Sequence, residues 1–234
     1  MTTLLFRLVA PMQAWGVQSR FRVRDTGREP SKSGVVGLLC AALGRPRSAP
    51  VDDLAALRMG VRVDQEGRLM RDYHTAGKDG YLKASGSVER NNLITSTRYY
   101  LADAAFLVGL EGARPLLQQL HEALKNPTWH LFLGRKAFVP AAPIWLQDGL
   151  QEQPLEVVLR NYPWIGTRLQ AYEELQGRVR VVVDDPDGDD VRPDHPLSFE
   201  KGNRQFASRR VRTIFFDPPP WGKNEMRQSP QEEK

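Results

Sequence analysis

Between Gln13 and Ser33 the chain concentrates side chains that grip anions. Arg20, Arg22, Arg24, Arg28 and Lys32 surround a Thr26-Gly27 turn, with Gln13 and Trp15 at the start of the segment. Arg20, Arg22 and Arg24 alternate, so in an extended segment they share one side at about 6–7 Å per two residues. That step is close to the spacing of nucleotide phosphates, which suits a rail for a single-stranded RNA backbone; a solvated charged loop has the same spacing. Trp15, between Ala14 and Gly16, is either a core residue closing the loop or a platform on which a base stacks. Far along the chain Lys201, Arg204, Arg209, Arg210 and Arg212 form a second basic cluster around Gln205-Phe206-Ala207-Ser208. It completes a groove if it faces the first cluster and otherwise suits the docking of a protein subunit.

Other chemistry finds less support. His74, His121, His130 and His195 are scattered, without the spacing of a zinc site. Asp185, Asp187 and Asp189 begin like a calcium loop, but Asp190 stands at the sixth position and Pro196 at the twelfth, where glycine and glutamate are needed. The stretch Asp184 to Asp190 is therefore expected to be a solvated surface turn. No phosphate loop or nucleophile elbow is present. Metal-free RNA cleavage needs a base near a 2′-OH and a cation near the phosphate. Tyr73-His74 with Lys78, or Tyr99-Tyr100 with Arg98, could supply those parts, although tyrosine and histidine at a strand end are commonly structural.

The elements that must position these residues follow from periodicity. Leu4 to Val9 alternates as a half-buried strand that Ala10-Pro11 is expected to end. Ser31 is an N-cap candidate for a helix whose Val35, Leu38, Leu39, Ala42 and Leu43 share a face, with Gly44 as C-cap. The helix N-terminus thus opens onto the basic loop and offers N–H groups and arginine forks to phosphates together. A short helix is expected over Val51 to Met59, strands at Val61 to Val63 and Leu69 to His74, and a turn at Gly67. From Thr75 to Thr97 the pattern dissolves into a long, mobile, basic excursion carrying Lys78, Lys83 and Arg90. A buried strand, Ala104 to Leu110, and a helix, Ala113 to Lys125, resume the core. Strand candidates beyond Pro140 are Leu155 to Leu159, Val179 to Val183 and Val211 to Phe216. The order predicts an α+β fold built on a ferredoxin-like βαββαβ unit. The expected division is residues 1–140, a β-rich region 141–216 and a frayed tail 217–234.

The bulk properties fit a folded chain. The 234 residues are 41% apolar, enough for a real core, and carry a net charge of +5 with a pI near 9.5. The cation excess favours an anionic partner without requiring one. Cys40, the single cysteine, excludes a disulfide framework and suits core packing. Arg7 interrupts a very short N-terminal apolar run, so neither a signal peptide nor a membrane span is expected, and the expected compartment is the cytoplasm.

Five segments in order, APMQAWG, RDTGREPSKSGVVGLL, RDYHTA, LGRKAFVP and RQFASR, resemble the CasD family, the subtype I-E CRISPR-associated Cascade subunit of the RAMP superfamily. The resemblance spans roughly residues 4–213. It implies a RAMP-type ferredoxin-like fold with a long β-hairpin thumb, corresponding to about Thr75 to Thr97. It also implies a non-catalytic RNA-binding role at the 5′ handle of CRISPR RNA, capping one end of Cascade. The implied partners are a backbone subunit, a large subunit and, through the complex, target DNA; no cofactor or metal is implied. A nuclease-active relative keeps a metal-independent repeat endoribonuclease as the alternative. Gly134-Arg135-Lys136 resembles the RAMP glycine-rich loop, where the missing Cβ lets backbone N–H groups approach a phosphate. The RNA-binding residues expected are Gln13, Trp15, Arg20, Arg22, Arg24, Ser31, Lys32, Ser33, Lys78, Lys83, Arg90, Arg98, Gly134, Arg135, Lys136, Arg204 and Arg209.

Overall fold

A computed structural model describes residues 1–18, 22–83, 85–90, 92–175 and 177–219; Arg20 and the expected tail from residue 220 lie outside the described residues. The elements run β1 (Thr2–Gln13), β2 (Val23–Arg24), α1 (Lys32–Leu43), α2 (Asp52–Ala55), β3 (Arg58–Gln65), β4 (Arg68–Ala76), β5 (Tyr81–Leu82), β6 (Val88–Glu89), β7 (Ile94–Gly112), α3 (Arg114–Lys125), β8 (Trp145–Gln151), α4 (Leu155–Asn161), α5 (Leu169–Glu173), β9 (Val179–Asp184), β10 (Asp190–Ser198) and β11 (Gln205–Phe216). One large sheet has the order β10-β11-β9-β3-β7-β1-β8, and β2 and β4 pair with the outer half of β7. Every pairing is antiparallel except the short β2–β7 contact.

Period-two alternation sends the apolar residues of one strand to both faces of this sheet. Leu4, Phe6 and Leu8 join Val61, Phe106 and Val108 beneath α1 and α3, through Val35, Leu39, Leu117 and Leu120. Leu5, Val9, Leu107, Val181 and Val183 pack on the other face under Leu155 and Leu159 of α4. Gly60 and Gly109 are register partners between β3 and β7. A Cβ on either would lie 2.6 Å from a leucine methyl of α4, so the pair sets how closely that helix approaches.

Several sequence expectations hold and several are corrected. Helix α1 has Ser31 as N-cap, its hydroxyl accepting from Gly34 N–H, and Gly44 as a left-handed C-cap. Its burial is wider than one stripe, because Val36 and Cys40 are covered too. β1 continues past Pro11 to Gln13. β8 pairs with β1 only from Thr3 to Phe6, so the missing Pro11 N–H leaves no ladder bond unmade. Leu155 to Leu159 is helical, not a strand; a five-residue apolar run fits either period, and Pro154 sits at the N-cap. α2 covers only Asp52–Ala55, because Arg58 already begins β3. β8 and β10 were not expected: β8 contains Gly149, and β10 contains Pro193 and Pro196, but both lie at sheet edges where such residues are tolerated. The ladder of β4 with β7 runs on from Arg68↔Ala102 to Ala76↔Ile94, so both ends of the expected excursion are regular strand.

A buried ionic network ties α1 to the last three strands. Asp184, at the end of β9, accepts from Lys32 Nζ at 2.7 Å and from Met59 N–H at 2.9 Å, and pairs with Arg209. Asp194 on β10 pairs with Arg209 Nε at 2.7 Å and accepts Lys32 N–H, in the first turn of α1, at 2.7 Å. Asp184 is therefore not part of the acidic surface turn, which begins at Asp185. Burial by itself would raise the Asp184 carboxyl, but Arg209 and Lys32, with the Met59 N–H, outweigh it and hold it below the usual carboxylate range. A carboxylate depressed in the folded state stabilises above its unfolded value of about 4 and loses that contribution as pH falls through the folded value. Removing one member strands buried charge, which costs about 3–5 kcal/mol. Asp184→Asn is expected to lower Tm at pH 7 by on the order of 10 °C in a thermal melt. The gap between wild type and variant should narrow as pH falls below about 4.

Candidate nucleic-acid interface

The cleft is built from the chain leaving β1. Ala14 N–H donates to Leu133 O at 3.1 Å, which brings the loop after α3 against β1. Gly134 lies there with φ +96°, and a Cβ would sit 1.8 Å from Ala14 O. This glycine is demanded by the protein's own backbone and not by an approaching phosphate; its N–H is engaged with Phe132 O. The Trp15 ring packs on Gly34 of α1, where a Cβ would lie 2.9 Å from the indole. Trp15 N–H donates to Thr26 Oγ1 and its carbonyl accepts from Gly27 N–H, both at 2.9 Å, so the basic loop folds back onto Trp15.

Seven of the expected residues line one cleft of about 300 Å³: Trp15, Arg24, Ser31, Ser33, Gly134, Arg135 and Arg204, joined by Ala14, Gly16, Asp25, Gly34 and Phe199. Arg24 on β2 is the register partner of Arg98 on β7. Arg135 donates to Tyr99 O at 2.7 Å and lies 5.2 Å from the Phe138 ring. Burial, then the neighbouring Arg98 and more weakly Arg24, push the Arg135 guanidinium below its usual value, against Asp72 and Asp25. It stays charged, because a guanidinium does not deprotonate in proteins. Asp25 accepts the N–H groups of Val17 and Gln18 at 3.4 and 3.0 Å, which holds the loop. Among the described residues Arg24, Arg98, Arg135 and Arg204 form no ion pair. Clustered guanidinium groups that outnumber the one lining carboxylate, Asp25, form a receptor for a polyanion.

Other expected residues are placed elsewhere. Gln13 is fully buried; its Nε2 donates to Leu8 O and Ala104 O at 3.0 and 2.8 Å, and its Oε1 accepts from Trp15 Nε1 at 3.1 Å. Gln13 and Trp15 are thus structural, and Trp15 is 2% exposed, too little for base stacking. Lys32 and Arg209 belong to the buried network and are corrected likewise. The α1 N-terminus is also less open than expected, since Asp194 and Ser31 take the N–H groups of Lys32 and Gly34. Arg22 is exposed beside Arg24, its carbonyl accepting from Thr97 N–H, and Lys136 is exposed beside Arg135. Lys78, Lys83 and Arg90 sit at the far end of the β4–β7 ribbon, where Lys83 pairs with Glu89 at 2.5 Å. Arg204 alone brings the second basic cluster to the cleft. Arg210 and Arg212 hold the acidic turn through Gly188 O and Asp185, both at 2.9 Å. Phe199 and Asp25 line the cleft unpredicted; an aromatic five residues before Arg204 and an acid inside a basic run were the available signals.

Of the candidate nuclease parts, Tyr73, His74 and Lys78 do not line this cleft, whereas Tyr99 adjoins it through its carbonyl, which accepts from Arg135. His74 pairs with Asp72 on the exposed face of the ribbon, beside a Tyr73 that is 66% exposed. Tyr100 packs its ring 5.8 Å from Phe138. The described residues contain no group of three or more His, Cys, Asp or Glu able to hold a metal ion. Gly134→Ala is expected to destabilise the protein by about 2 kcal/mol or more, from the left-handed φ and the clash with Ala14 O. Lys136→Ala should leave the thermal midpoint unchanged, and paired melts check both.

A model of the CRISPR-associated protein family Cas5 matches residues 3–212. The chain is 31% identical over 194 residues to the CRISPR system Cascade subunit CasD of Escherichia coli K12, covering 74% of this chain and 83% of that one. A crystal structure of a Cas protein superposes with a TM-score of 0.74 at 44% identity, covering 94% of this chain and 98% of the other. A chain of a CRISPR RNA-guided surveillance complex superposes with a TM-score of 0.77 at 31% identity, covering 93% and 91%. The mixed α/β architecture with a large antiparallel sheet is common to them. No helix among the described residues is long and apolar enough to cross a membrane. The chain belongs to the CRISPR-associated Cas5 family, that of the Cascade subunit CasD.

Proposed function

We propose that this chain is a non-catalytic RNA-binding subunit of a Cascade surveillance complex, which holds the 5′ handle of CRISPR RNA and caps one end of the assembly. The observation that carries this reading is the convergence of Arg24, Arg135 and Arg204 at one cleft between α1 and the 133–138 loop, with Arg98 beside Arg24, none of the four having an ion-pair partner among the described residues. Phosphate contacts from these forks would position the handle, and sequence preference would come from bases splayed against the cleft walls.

The order β3-β7-β1-β8, with α1 and α3 on one face, supports reading the core as ferredoxin-like. The β4–β7 ribbon corresponds to the thumb of that reading. Its polar stem and its Lys78, Lys83 and Arg90 suit contact with RNA and with the neighbouring backbone subunit. The large subunit that surveys target DNA would seat beside the handle.

The test is a mobility-shift assay with end-labelled CRISPR repeat RNA at several salt concentrations, each lane also run on a denaturing gel. Intact RNA is expected, with log affinity falling against log salt by about 0.7 per phosphate contact. Arg24→Ala/Arg135→Ala should weaken binding by at least about tenfold and flatten the salt slope by about 1.4. A single sharp cleavage product would overturn the reading in favour of an endoribonuclease.

A further inference from the structure

A cavity of about 620 Å³ lies away from the arginine cleft, at the root of the β4–β7 ribbon. The end of β3, the start of β4, α5 and the strands β9 and β11 line it. Its volume falls in the range of about 300–1,000 Å³ typical of small-ligand sites. Gln65 lines it and is 6% exposed. The Gln65 Nε2 donates to Asp103 O, at the left-handed residue where β7 leaves the core, while the buried Oε1 has no hydrogen-bond partner. The reverse amide orientation would set two oxygens face to face, so the group left over is an acceptor. A buried polar atom left unpaired costs about 1–3 kcal/mol, so an incoming donor is favoured there.

The rim adds charge and a flat apolar surface. Three carboxylates line the cavity with the arginines: Asp64 is held by Arg62, Glu66 by Arg180, and Glu174 has no ion pair among the described residues; Arg68 and Arg178 likewise form none, and Arg168 has only a 3.5 Å contact with Asp103, which leaves guanidinium groups in excess. Phe215 on β11 lines the same cavity and is 54% exposed. Guanidinium groups call for an anion. A bare phosphate, however, brings no N–H for Gln65, and no ring for Phe215. A phosphate joined to a sugar and a base, whose N–H or hydroxyl groups donate, satisfies all three.

We propose that this cavity binds a single nucleoside monophosphate unit, its phosphate on Arg68 and Arg178, its ring against Phe215, and a hydrogen-bond donor on Gln65 Oε1. The site is separate from the handle-binding cleft and does not depend on it. The unit can be a free nucleotide or one nucleotide of an RNA strand.

Titration calorimetry of the full chain with 5′-AMP, adenosine and inorganic phosphate tests the site. 5′-AMP is expected to bind more tightly than either fragment. Arg68→Ala/Arg178→Ala and, separately, the exposed Phe215→Ala should each weaken 5′-AMP by about tenfold, with thermal midpoints kept. Arg24→Ala/Arg135→Ala, in the other cleft, should leave 5′-AMP binding unchanged. A 5′-phosphorylated hexa-adenylate that displaces 5′-AMP assigns the unit to a strand, and one that does not assigns it to a free nucleotide; both keep the site. Absence of 5′-AMP binding at millimolar concentration overturns the proposal. So does phosphate binding as tightly as 5′-AMP, or loss of 5′-AMP binding only in Arg24→Ala/Arg135→Ala.

Discussion

The buried contacts among Lys32, Asp184, Arg209 and Asp194 fix the geometry on which the arginine cleft depends. Four charges from α1, β9, β10 and β11 meet in a site where the Arg209 and Lys32 side chains are 10% and 6% exposed. Such a network gives little net stability compared with an apolar plug, because desolvation offsets the attraction. Its effect is positional. Asp194 takes an amide of the first turn of α1, so β10 sets where that helix begins. Ser31, Ser33 and Gly34 then stand at the cleft, and Gly34 provides the surface against which Trp15 closes the basic loop. The helix N-terminus that a phosphate could have used is given partly to a carboxylate of the same chain, and anion recognition passes to the arginines.

This division explains why the sequence separates cations into the right segments but not into roles. A lysine at the start of a helix and an arginine in a basic run read alike whether they face water or a buried aspartate. The partners of Lys32 and Arg209 lie on strands whose pairing is non-local, and β10, which supplies Asp194, is disguised by Pro193 and Pro196. Gln13 hides its role for a related reason. It precedes a loop, yet β1 runs two residues past Pro11 and places the amide inside, between Leu8 O, Ala104 O and the Trp15 indole. The expected residues that line the cleft, among them Arg24, Ser33, Gly134, Arg135 and Arg204, sit in local motifs whose chain neighbours already indicate a turn, a helix start or a glycine-dependent approach.

The fold shows the same boundary. Helices α1 and α3 and the central strands have strong local signals: a cap, a stripe, an alternating run. Leu155 to Leu159 does not, and only its packing as α4 over Gly60 and Gly109 decides for helix. Arg62 reinforces that choice. Fully buried on β3, it pairs with Asp64 at 2.6 Å and donates to Leu159 O, Tyr162 O and Pro163 O at 2.6–2.9 Å. It thereby satisfies carbonyls at the end of α4 that the helix itself leaves open. An arginine between two valines reads as the outward residue of a strand, and only the opposite layer shows why it points inward.

The β4–β7 ribbon carries this reasoning to the site. All nine residues of β4 are exposed, and a two-stranded ribbon is marginal by itself in water. Its order comes from β7, a single 19-residue strand whose inner half is the centre of the core sheet and whose outer half is the ribbon's backbone. Arg98 on that outer half stands beside Arg24, and Tyr99 O holds Arg135. The ribbon and the cleft therefore share one strand: displacing the ribbon would move Arg98 and loosen the hold on Arg135. Arg98 lies on the ribbon's own strand, Arg24 is joined to it through the β2–β7 pairing, and the Arg135 side chain donates to Tyr99 O, so an anion gripped by all three also fixes the direction in which the ribbon leaves the body.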